Sequence, residues 1–153
     1  GADQPEAKPD AAAVERTPGT VRLLDNVYEN AVVLTTETYV HDEDDFPAGA
    51  AAVELFKRTA KDGSHQVRII DVTGMPYDEE NVAEDDFERE AVKQLKSGEA
   101  YYEQVVNVEG KPQLRAATAV PVVMEKCVMC HPHYKDVKKG AAIGALSYTL
   151  PIK

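Results

Sequence analysis

The chain has 153 residues, of which 43% are apolar and 29% charged. That suffices for one domain with a core, falls short of two ordinary domains, and does not resemble a disordered composition. Seventeen basic residues against 27 acidic ones leave a net charge of -10, which excludes the phosphate-neutralising surface of a nucleic-acid binder and disfavours an anionic membrane surface.

Residues 1–17 are rich in Ala, Pro, Glu and Asp and read as a disordered leader or tether. The start, Gly1-Ala2-Asp3-Gln4-Pro5, has the look of a mature or trimmed chain. A single domain is expected over residues 18–153. Its first helix should run from about Val21 to Val40, with Leu24, Val27, Tyr28, Ala31 and Leu34 at helical spacing. Asp42, Glu43, Asp44 and Asp45 form an acidic loop that could steer a basic partner. A second helix is expected over Pro47 to Lys61, with Val53, Phe56 and Ala60 inward and Gly63 ending it.

Gln66 to Val72 alternates β-branched residues and reads as a strand, broken by Gly74-Met75-Pro76. Asp85 or Asp86 can cap a third helix that ends near Lys96, with Phe87, Ala91 and Leu95 on one face. Tyr101 to Val108 and Pro112 to Val123 read as a hairpin around Glu109-Gly110, and Ala142 to Leu150 as a final strand. Helices, a strand, a helix, a hairpin and a last strand make an α+β plan with a mostly antiparallel sheet. No run approaches the ~20 apolar residues of a membrane span.

The two cysteines of the chain stand together in Cys127-Val128-Met129-Cys130-His131. This C-x-x-C-H pattern is that of covalent c-type haem attachment. Each thiol adds to one porphyrin vinyl group, two intervening residues let one turn present both sulfurs, and the next residue falls under the iron. His131 is therefore the expected proximal ligand. Three other readings use the same residues. A redox dithiol usually opens a helix after a strand, which Pro132-His133-Tyr134 does not continue well. A zinc site could recruit Cys127, Cys130, His131 and His133, but no second, separated ligand pair exists. A Cys127–Cys130 disulfide would close only a small ring. Bacterial haem attachment takes place outside the cytoplasm, so the expected location is periplasmic or otherwise exported, with a membrane tether in the full-length precursor.

Arg115-Ala116-Ala117-Thr118-Ala119-Val120-Pro121 leads into the haem motif, and a glycine-led final strand, Gly140 to Pro151, follows it. With Val67-Arg68-Ile69-Ile70 and Asp85-Asp86-Phe87-Glu88 upstream, the chain resembles a bacterial family of c-type haem proteins with a PAS-like fold, which includes sensor-like domains of unknown function. The resemblance spans roughly residues 21–153, and its specific part is the C-terminal third. It implies long N-terminal helices beside a small antiparallel sheet, one haem between them, a periplasmic redox or ligand-sensing role, and a homodimer through the N-terminal helices. Some members of that family use an upstream cysteine as distal ligand; this chain has no third cysteine.

His41, His65 and Met75 are the candidates for the sixth iron ligand, with water, a vacant site, or a backbone or Tyr oxygen as alternatives. His133 is read as a surface or propionate-side group. Arg68 and Arg115 could pair with haem propionates or lie in surface ion pairs. The expectation is a single-haem c-type cytochrome that carries electrons or senses a redox state or a small gas. A peroxidase-like or gas-reacting enzyme and a haem-free sensor module with a disulfide are the alternatives. Catalytic motifs such as a nucleophile triad or phosphate loop are lacking, so turnover is the lesser expectation, and electron exchange with a basic redox partner protein the greater.

Overall fold

A computed structural model describes residues 8–42, 45 and 47–153. In chain order the elements are α1 (Ala11–Tyr39), α2 (Ala48–Thr59), β1 (Gln66–Asp71), α3 (Asp86–Lys96), β2 (Tyr101–Val108), β3 (Lys111–Pro121), α4 (Lys126–Cys130) and β4 (Ala142–Pro151), with 3-10 turns at Ala60–Asp62 and Pro132–Asp136. The sheet is antiparallel throughout, in the order β1-β4-β3-β2. This α+β plan, a long N-terminal helix beside a four-stranded antiparallel sheet, is consistent with a small PAS-like domain.

The sheet separates two apolar layers. Val67, Leu114, Ala116, Leu146, Tyr148 and Leu150 face α1 and α2, where they meet Val21, Tyr28, Ala52 and Phe56. On the opposite face Ile70, Ala117 and Ala145 pack against Phe87, Ala91 and Leu95 of α3. Period-2 alternation along β1, β3 and β4 thus assigns each residue to one helical layer. The hairpin turns at Glu109 and Gly110, with φ of 52° and 76°, the left-handed pair that matches strand twist.

α1 departs from expectation. It begins at Ala11, within the segment expected to be a leader, because the Asp10 carboxylate accepts the Ala13 N–H and caps it. Ala13, Thr17, Val21 and Tyr28 are its buried face. Pro18 lies inside the helix, and Thr17, Thr35 and Thr36 return their hydroxyls to carbonyls four residues back. Of the expected inner face Tyr28 is buried and Leu24 packs against the core, whereas Val27 and Leu34 point outward with Leu23, each more than half exposed. Residues 1–7 of the expected leader, and Glu43 and Asp44 of the acidic loop, lie outside the described residues.

The other elements agree within a few residues. α2 ends at Thr59 and passes through a 3-10 turn to Gly63 at φ 70°. Asp85 caps α3 by accepting the Glu88 N–H. No helix among the described residues is long and apolar enough to cross a membrane.

Candidate functional site

β3 ends at Pro121, and the chain turns into the short helix α4, which carries both cysteines. As expected for two intervening residues, one turn, here helical, presents Cys127 and Cys130, both free thiols and both half-buried. Residues three apart on a helix share a face, so the two sulfurs leave on one side. His131 ends the turn, its N–H bonded to the Cys127 carbonyl at 3.2 Å.

Lys126 fixes this turn to the rest of the molecule. Its Nζ donates to the carbonyls of Thr36, Glu37 and Val40 at 3.2, 3.0 and 2.6 Å. A cation on the open carbonyls of a helix C-terminus satisfies groups that have no intrahelical partner. The residue before Cys127 is thereby tied to the residue before His41.

The His131 ring lies half-buried among aromatic neighbours. Tyr134 stacks on it at 4.5 Å between centroids, and Tyr77 meets it edge-on at 5.2 Å. Burial holds the His131 pKa below the ordinary value, His133 adds to the effect, and Asp71 opposes it. The neutral imidazole is the form that binds a metal. Tyr134 is pushed up to about 12 by burial, with Asp71 and Cys127 adding to it. His133 sits at right angles to His131, 6.0 Å away, and its Nε2 is buried without a hydrogen-bond partner.

Two thiols one turn apart, an imidazole at the end of that turn and an orphaned nitrogen beside it form a donor set that fits a covalently held porphyrin. Among the described residues no group of three or more His, Cys, Asp or Glu side chains converges as a metal cage requires.

The structure separates the candidate sixth ligands. His41 follows the carbonyl that Lys126 holds, and its N–H donates to Asp45 at 2.6 Å. Met75 is exposed in the segment that carries Tyr77 to His131. His65 is different: it precedes β1, whereas the motif follows the far end of β3, and it is only 8% exposed. Its Nε2 meets the Tyr28 hydroxyl at 2.6 Å and its Nδ1 the Ser64 hydroxyl at 2.9 Å. Both ring nitrogens are thus already engaged, in a bond that joins α1 to the start of β1.

Burial holds the His65 pKa below 6.5, with Asp62 opposing. A histidine kept neutral by the fold contributes stability that is full above its unfolded pKa. That stability is lost as pH falls below 6.5 toward the lowered folded value. Thermal unfolding of His65→Gln should show a shallower loss on acidification than the parent chain. At neutral pH His65→Ala should cost about 1 kcal/mol, the loss of one hydrogen bond, since the Tyr28 hydroxyl keeps the Thr59 hydroxyl at 2.9 Å as a partner.

Arg68 and Arg115, the expected propionate partners, are engaged elsewhere. Arg68 donates to Glu88 at 2.6 Å and pairs with Glu84 at 2.9 Å; Arg115 pairs with Asp85 at 2.6 Å and lies over the Phe87 ring. Glu88 is 1% exposed and also accepts from the Ser147 hydroxyl and the Glu84 N–H. Arg115 Nε is buried without a hydrogen-bond partner. Sequence reasoning overlooked Lys126, Tyr77 and Tyr134. Tyr134, three residues beyond His131, carried a legible signal; the other two depend on long-range packing.

An α+β domain with a C-x-x-C-H turn after its third strand is the class that fold and site define. The chain belongs to the Tll0287-like family, whose model matches residues 16–151. The crystal structure of the cyanobacterial haem protein Tll0287 has a similar fold, with a TM-score of 0.61 over 90% of this chain and 95% of that one at 14% identity. No curated protein matches the chain.

Proposed function

We propose that this protein is a mono-haem c-type cytochrome of the periplasm, acting as an electron carrier or as a redox or ligand sensor. The observation that carries this reading is the α4 turn, with two free thiols on one face and a half-buried imidazole at its end. Membership of the Tll0287-like family supports it, as does the similar fold of Tll0287, itself a haem protein. Cys127 and Cys130 would hold the porphyrin covalently and His131 the iron, which when bound supplies a one-electron couple. Tyr134 and Tyr77 then hold the His131 ring in place and keep water from one side of it.

His41 is proposed as the sixth ligand, because Lys126 ties its backbone to the motif; Met75 is the competitor. Protein made with the c-haem maturation machinery should give a low-spin spectrum in both redox states. His41→Ala should convert it to high spin and admit CO, while Met75→Leu and His65→Ala should leave it unchanged. A parent protein that is high-spin and binds CO before any substitution would favour a gas-reacting or peroxidase-like role instead. A colourless protein of bare polypeptide mass would favour a haem-free sensor with a disulfide. The net charge of -10 suits a basic redox partner, whose association should weaken with added salt. The outward Leu23, Val27 and Leu34 of α1 are the face through which a homodimer would pair.

A further inference from the structure

The sheet has an unpaired edge at β1. In the β1–β4 ladder, Val72 N–H donates to the Ile143 carbonyl at 3.1 Å, and the register sets Ile70 opposite Ala145 and Arg68 opposite Ser147. Successive strand residues turn their backbone groups to opposite sides. Arg68, Ile70 and Val72 therefore face β4, while Val67, Ile69 and Asp71 face away. The Asp71 N–H is taken by the Asn81 carbonyl at 2.7 Å. The N–H and C=O groups of Val67 and Ile69 have no such partner among the described residues.

These groups open on a groove of about 540 Å³ between α2 and residues 79–84. Val53 and Phe56 line its apolar wall. Glu79 and Glu80 stand exposed on one rim with no ion-pair partner among the described residues, and Glu84 is shared with Arg68. Lys57 is a cation on the opposite rim.

We propose that this edge docks an extended, basic segment of another protein, which adds to the sheet beside β1. Strand addition draws its affinity from main-chain hydrogen bonds and its selectivity from the flanking side chains. Val67 and Ile69 offer the main-chain groups, Val53 and Phe56 receive an apolar side chain, and Glu79 and Glu80 attract the cations. A second copy of this chain is a poor occupant, because it would bring the same acidic rim and a further charge of -10. The docking does not depend on the cofactor.

The test uses the full chain and a synthetic probe, the peptide Lys-Val-Lys-Val-Lys with both termini blocked. Amide exchange of Val67 and Ile69 should be fast in the free protein and slow by tenfold or more when the peptide is added up to ~1 mM. The same peptide with alternate amides methylated, or with Glu in place of Lys, should give no protection. The double variant Glu79→Lys, Glu80→Lys should weaken binding of the basic peptide at least tenfold. Slow exchange of these two amides in the dilute free protein would overturn the proposal. So would equal binding of the methylated or acidic peptide, or protection that appears on raising protein concentration alone, which would assign the edge to a second copy.

Discussion

Serine in place of both Cys127 and Cys130 should leave a folded polypeptide that carries no acid-stable pigment. Each thiol is half-buried on a single turn that Lys126 holds to the end of α1. Removing two sulfurs therefore touches neither apolar layer of the sheet. A serine hydroxyl does not add to a porphyrin vinyl, so both covalent links of the proposed cofactor are lost together. Protein expressed with the haem maturation machinery should weigh as the bare chain, while the parent should gain the mass of one haem. Each single replacement should retain one link and release no pigment into acidified acetone, with an altered absorption band from the unreacted vinyl. If the double variant kept a covalently bound chromophore, the α4 turn would not be the site of attachment.

The second large effect concerns Glu88. Its carboxylate is buried under α3, where it accepts from Arg68 at 2.6 Å, from the Ser147 hydroxyl at 2.8 Å and from the Glu84 N–H at 2.9 Å. Arg115 stands 3.7 Å away. Truncating Glu88 to alanine leaves two guanidiniums and a hydroxyl facing a cavity. Breaking a buried pair from one side usually costs about 3–5 kcal/mol. Arg68 is 31% exposed and can rehydrate in part, so the lower end, about 3 kcal/mol, applies here. For a chain of this size that is a fall in melting temperature of roughly 6–12 °C, readable by calorimetry. Truncation of Glu54, whose ion pair with Arg58 is mostly exposed, should change nothing measurable. A Glu88→Ala chain as stable as the parent would mean that the network contributes no net stability.

Glu88 also shows why part of the molecule was illegible from the sequence. The apolar face of α3 was plain in Phe87, Ala91 and Leu95, and a glutamate one residue after Phe87 looks like ordinary N-terminal charge near a helix dipole. Its burial follows from Arg68 on β1 and Ser147 on β4 arriving at neighbouring ladder positions. Those two residues are 79 positions apart in the chain (147 minus 68) and nothing local couples them. α1 failed in another way. Leu24, Val27, Tyr28 and Leu34 do recur at helical spacing, but spacing alone marks a broad stripe and does not say which part of it meets the sheet: Leu24 and Tyr28 do, Val27 and Leu34 do not. The small residues Ala13 and Thr17 settled that, because close approach to the sheet needs little side chain.

The strands, the Asp85 cap, the Glu109-Gly110 turn and the C-x-x-C-H motif were determined by the sequence alone. Each rests on interactions within a few residues, where backbone geometry and side-chain period leave little choice. Tertiary structure decided which end of the sheet the motif occupies, that His65 is committed to Tyr28, that Arg68 and Arg115 serve Glu88 and Asp85, and that Val67 and Ile69 lie on a free edge. Those outcomes depend on which distant segments become neighbours, a property of strand order and helix placement that no local pattern encodes.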